Sequence, residues 1–193
     1  WWLGYLSPRH PPVQLAQAPS GLEIFTSDGR AEIPAARVAG TRLDAPTGGR
    51  VLARLGHDAF GLNRDGAAVL VDASPSSTHV LLEHGTLAVQ ARSRRAGALS
   101  IAAGAYIVRV VGTRFLLELT SRDELAVAVT EGAVTILAEG RTQPHRVTPG
   151  QRLHLRAGVA PRLSPLPTTV ETEITELLTP PIVTTSAPQE ITH

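Results

Sequence analysis

The sequence predicts an all-β domain, an antiparallel meander of short strands forming a sandwich or a solenoid-like barrel. Apolar residues alternate with period two through the middle of the chain: Tyr106, Val108 and Val110, then Phe115, Leu117 and Leu119, then Val127 and Val129, then Val134 and Ile136. Glycine interrupts these runs roughly every 8–12 residues, the spacing of strands in sandwiches, barrels and solenoids. No stretch of about a dozen residues holds a helical period, because the alanine-rich segments are cut by glycine before a helix can propagate.

In chain order, Thr47-Gly48-Gly49-Arg50 reads as a turn, with neither the lysine nor the helix that a phosphate loop needs. Asp65-Gly66 precedes the run Ala67–Val71, which ends at Asp72 and the polar turn Ser74-Pro75-Ser76-Ser77. His84-Gly85 precedes Thr86–Val89, and Glu131-Gly132 precedes Ala133–Ile136. Each pair suits a two-residue hairpin turn, because glycine takes positive φ without a Cβ penalty. Arg109 and Glu118 interleave with apolar neighbours, as on a sheet with one face in water. Pro149-Gly150 is a further turn before the run Gln151–Leu155.

The flanks differ in composition. Residues 1–20 are rich in proline and alanine and are expected to be a linker. Residues 161–193 carry six prolines with Thr168, Thr169, Thr179, Thr184 and Thr185, and are expected to be a linker tail. Within it, Val170–Leu178 suits a short strand or helix. The opening Trp1-Trp2-Leu3-Gly4-Tyr5-Leu6 concentrates aromatics. Such residues favour the membrane–water boundary, so one reading is the outer end of a preceding transmembrane helix; the other is packing on the domain. The chain contains no methionine, and a preceding segment is therefore expected. No apolar run approaches the roughly 18–20 residues of a span.

Composition narrows the chemistry. The 193 residues contain no cysteine, which removes disulfides, thiolate metal sites and cysteine nucleophiles. All 18 basic residues are arginine, against 17 acidic ones, and a net charge of +1 gives no bulk attraction for nucleic acid. Aromatics at 4% are few for stacking on bases or sugars. Arg92-Ser93-Arg94-Arg95 is the one basic cluster and reads as a solvated loop. No Gly-x-Ser-x-Gly elbow and no pair of carboxylates stands out for catalysis.

His79 and His84 are five residues apart, and His145 and His154 nine, so neither pair shares a strand face. A metal site would need distant partners. Pro149–His154 bears a faint likeness to the second metal motif of cupins, but the first cupin motif is absent. No metal, cofactor or catalytic residue is expected.

Four segments in order resemble the FecR-domain family. Val108–Phe115 contains Gly112-Thr113-Arg114-Phe115, similar to the family's Gly-Thr-Arg-Phe signature. Leu82–Val89, Val127–Val134 and Val147–Leu153 are similar to its other strand motifs. The likeness covers roughly residues 80–156 and is weaker over 36–79. It implies a FecR-like β domain over residues 21–160, in which Gly85, Gly112, Thr113, Phe115, Glu131, Gly132, Gly150 and Gln151 are structural motif residues. It further implies a non-enzymatic module of the bacterial periplasm or cell envelope, anchored to the inner membrane through its N-terminus. Such a module acts by protein–protein contact in transmembrane signalling or sigma-factor regulation, as an anti-sigma regulator whose partner is an outer-membrane transporter or a sigma-regulating system. Strand addition at an open sheet edge is one mode of contact. The alternatives are an envelope scaffold binding glycan or peptidoglycan and, behind it, a cupin-like metal protein.

Overall fold

The computed structural model describes residues 21–182 apart from 64, 75–76 and 93–97. The aromatic start and the rest of residues 1–20, Ser93–Arg95 of the basic cluster, Pro75-Ser76 and residues 183–193 of the tail lie outside the described residues.

Thirteen strands form one sheet: β1 (Leu22–Thr26), β2 (Gly29–Ile33), β3 (Thr41–Asp44), β4 (Val51–Leu55), β5 (Asp58–Leu62), β6 (Ala67–Ala73), β7 (Ser77–Gln90), β8 (Ala98–Ala103), β9 (Tyr106–Ser121), β10 (Glu124–Ala138), β11 (His145–Val147), β12 (Gln151–Arg156) and β13 (Arg162–Pro165). One helix, α1 (Thr168–Leu177), follows. The fold is all-β as expected, and the sheet is not closed into a barrel.

Three strands are long, with 14, 16 and 15 residues in β7, β9 and β10. Each takes part in two neighbourhoods. The second half of β9 lies between β7 and the first half of β10, while its first half lies between β8 and the second half of β10. The first half of β7 pairs with β6 and β8, and its second half with β5 and β9. The sheet therefore folds into two layers joined through these strands, the way sandwich corners are made when strands switch sheets at bulges. Inward residues of both layers form one core, with Leu70, Val80, Ile101, Val108 and Ile136 facing Leu22, Phe60, Leu87, Phe115 and Val127.

Here the structure corrects the hairpin assignments. His84-Gly85 and Glu131-Gly132 lie inside β7 and β10, and Asp65-Gly66 sits in the turn between two strands that do not pair with each other. The conformational demand was read correctly: Gly85 has φ 90° and Gly132 φ 74°. Glycine serves a β-bulge as well as a turn, and local sequence does not distinguish them. The pattern is also not wholly antiparallel, since β7 and β8 run parallel.

The expected linker tail begins with ordered elements. β13 pairs with β12, and α1 packs on the outside of the second layer. Val170, Ile174 and Leu177 stand at i, i+4 and i+7, a buried stripe on a ten-residue helix. Beneath them are Ala88, Leu116 and Ala128, and Gly61 in the same row of the sheet. The seat works because its residues are small: a Cβ on Gly61 would lie 2.2 Å from the Leu177 carbonyl oxygen. Arg114 donates to Thr175 Oγ1 at 2.6 Å. Burial, reinforced by the Glu118 carboxylate, holds Glu173 on this helix above the usual carboxylate range. Gly61→Ala is expected to lift α1 while leaving the sheet intact. Amide exchange at Val170–Leu177 should quicken at least about tenfold, with the strands of the core still protected.

Candidate functional site

The motif residues collect at the bends of the long strands. At the first corner, a Cβ on Gly85 would meet Gly66 Cα at 2.6 Å. Asn63 ties this corner: its backbone N–H donates to Thr86 O at 3.1 Å, and its Oδ1 accepts the Thr86 N–H at 3.0 Å. At the second, Gly112 has φ 58°, and a Cβ on Gly132 would fall 2.3 Å from Gly112 O. Two bent strands touch there through their backbones, and only glycine leaves room.

Thr113 is buried beside this contact. Its hydroxyl donates to Ala133 O at 2.8 Å, and its carbonyl accepts the Ala91 N–H at 2.9 Å, so one residue ties β9 to β10 and to the end of β7. Phe115 is fully buried opposite Val89 and Val129. Glu131 is exposed and lies across from Arg114 in the register.

The last motif is a separate turn. Pro149-Gly150, with Gly150 at φ 80°, has the residue types of a type II turn. Gln151 closes it, its Oε1 accepting from the Thr148 N–H at 3.0 Å and the Thr148 hydroxyl at 2.9 Å. The structure thus brings Gly112, Thr113, Phe115, Glu131 and Gly132 together and leaves Gly85 and the pair Gly150-Gln151 at other bends.

The histidines are dispersed. His79 hydrogen-bonds Ser77 and Ser100 on an exposed face. His145 and His154 stand on strands flanking β10 at its two opposite halves. Among the described residues, no three of His, Asp and Glu gather to hold a metal. A cleft of about 180 Å³ opens at one end between Tyr106, Arg141, His145 and Arg156. Its Tyr106 hydroxyl donates to Asp123 O at 2.8 Å, and burial first, then the Asp123 charge, raises the phenol above its ordinary value.

Sequence reasoning missed Asn63 and Asp58. Asp58 is 1% exposed, and its carboxylate accepts the Arg92 N–H at 3.3 Å. Neither residue belongs to a motif, and their bonds to Thr86 and Arg92 come from chain segments distant in sequence.

This bend-and-bulge framework has known counterparts. Residues 59–135 match the family model described as FecR protein. The matched segment runs from β5 to within β10 and contains both glycine corners. It starts earlier than the four-motif resemblance and stops before the Gly150-Gln151 turn. A crystal structure at 1.65 Å of a candidate anti-sigma factor from Parabacteroides distasonis ATCC 8503 has the same fold, with a TM-score of 0.59 at 14% identity. The match covers 68% of this chain and 63% of that one. A second structure so described from the same organism, at 2.50 Å, matches with the same TM-score and identity. The chain thus spans somewhat under two thirds of the length of these structures. No curated protein matches it.

Proposed function

We propose that this chain is a non-enzymatic FecR-type module of the bacterial envelope that acts by protein–protein contact in transmembrane signalling or sigma-factor regulation. The observation that carries this reading is the FecR match over the strands that form the glycine corners. Its motif residues hold backbones together and frame no reacting group. The FecR family is regulatory and typically envelope-associated, which supports both the role and a periplasmic position anchored through the N-terminal side. No helix of the described residues is long and apolar enough to cross a membrane. We place the folded module at about residues 21–178, extending the sequence-based boundary to include α1.

The test is recovery of the intact protein from the envelope by cross-linking and mass spectrometry, paired with a transcription readout of sigma-dependent genes after its deletion. Enrichment of a transporter or sigma-regulating protein together with altered transcription is the expected result. An intact protein that enriches neither, and whose deletion leaves transcription unchanged, overturns the reading. Binding to sedimented cell-wall material in that case would favour an envelope scaffold.

A further inference from the structure

The two outer faces of the folded sheet are unequal. The face of the layer containing β5, β12 and the second halves of β7 and β9 carries α1. The opposite face belongs to β6, β8, β11, the first halves of β7 and β9 and the second half of β10. Nothing among the described residues covers it.

The sheet register orders its side chains in two rows. One row is apolar: Val69, Leu81, Ala102, Ile107 and Leu137 stand on successive strands. The next is polar: Asp72, His79, Ser100, Arg109, Thr135 and Arg146. Ile107 is 45% exposed, and Val71 and Val111 on the same two strands as Val69 and Ile107 are 54% and 72% exposed. Arg109 and Arg146 are exposed on either side of Thr135 and form no ion pair among the described residues.

The covered face shows what such a surface accepts. Helix α1 crosses the strands rather than following them, meeting Gly61 at its C-terminal end and Ala88, Leu116 and Ala128 along its length. Its seat is apolar: Arg152 beneath it is paired with Glu118, and Arg114 bonds the Thr175 hydroxyl, so packing rather than ion pairing holds the helix. The bare face offers an apolar row of its own and, unlike the covered face, arginines without an ion pair among the described residues. Its apolar row from Leu81 to Leu137 spans three inter-strand steps, about 14 Å, the length of roughly ten helical residues. Arg109 and Arg146 stand in the polar row beside it, without an ion pair among the described residues, and charge complementarity there selects carboxylates.

We propose that the bare face docks an acidic amphipathic helix of a partner protein, apolar side chains against Leu81, Ile107 and Leu137 and carboxylates toward Arg109 and Arg146. This rests on the protein-contact reading above and names the chemistry of the partner. The helix lies across β7 to β10, as α1 lies on the other face.

The probe is a synthetic helix of about 20 residues, long enough to fold alone, with leucine at i, i+4 and i+7 spacing and glutamate on the flanks. It is titrated into the intact protein and followed by amide chemical shifts. Saturable shifts at Ile107, Arg109, Leu137 and Arg146 are expected, and a probe with every glutamate changed to lysine should bind at least about tenfold more weakly. The double variant Arg109→Glu/Arg146→Glu, at exposed positions, should keep its thermal transition and lose the acidic probe. Equal binding of both probes, undiminished binding to the double variant or no saturable binding overturns the proposal. If Ile107→Glu alone turns a dimer into a monomer in sedimentation, a second copy owns the face. If removal of residues 1–20 is what admits the probe, that segment does. Either result also overturns it. Failure here with partners still recovered from the envelope moves the contact to another surface and leaves the signalling reading standing.

Discussion

Gly132→Ala is expected to cost about 3 kcal/mol or more, a large share of the roughly 5–15 kcal/mol that holds a domain together. Two effects combine. The residue has φ 74°, where an L side chain is strained by about 1–3 kcal/mol. Its Cβ would also lie 2.3 Å from Gly112 O, a backbone atom that no rotamer change can move. Relief requires β9 and β10 to separate at the point where both bend, which endangers the nearby bond from Thr113 to Ala133 O. Gly140→Ala is the control: its φ is 71°, but nothing lies within 4 Å of the added Cβ. It should lose only the conformational part, about 1–3 kcal/mol. Urea unfolding of the two variants isolates the steric term, and equal losses would show that the corner is not a close backbone contact.

Phe115→Ala is expected to cost about 3–5 kcal/mol, the usual range for deleting a buried aromatic ring. The ring is 0% exposed in the core between the two layers, and strands on both sides of it limit collapse into the cavity. Phe25→Ala is the comparison. That ring is half-buried, with the guanidinium groups of Arg30 and Arg54 at 5.5 and 5.3 Å from its centre, and it shares no part of the main core. Its loss should stay below about 1.5 kcal/mol, in keeping with partly exposed cation–π contacts. Similar midpoints for the two variants would place Phe115 outside the core.

The same residues show how far the chain could be read without coordinates. Period two placed Tyr106, Val108 and Val110 inward and Arg109 outward, and the structure keeps each assignment. The glycine signals at Gly85 and Gly132 were recognised as positive-φ positions, yet given to hairpins. What separates a bend or bulge from a hairpin turn is whether the strand runs on past the glycine to pair with further strands or doubles back on itself, and those partners are supplied from elsewhere in the chain. Val170–Leu178 alternates in places, which suits a strand as well as a helix, and its apolar stripe acquires meaning only above Gly61, Ala88 and Ala128. Asp58 and Asn63 were invisible for the same reason.

The opening inference of an all-β chain came from alternation alone, since side-chain direction along a strand is a local property with a period of two. The FecR likeness was local as well, because its motifs are short runs around glycines. Only the tertiary structure decided that three long strands fold one sheet into two layers, that a helix covers one outer face, and that no other described residue covers the face carrying Arg109 and Arg146. Those outcomes depend on which distant strands pair and in what register, and the entropy of closing the loops between them is repaid by a shared core that no single segment contains.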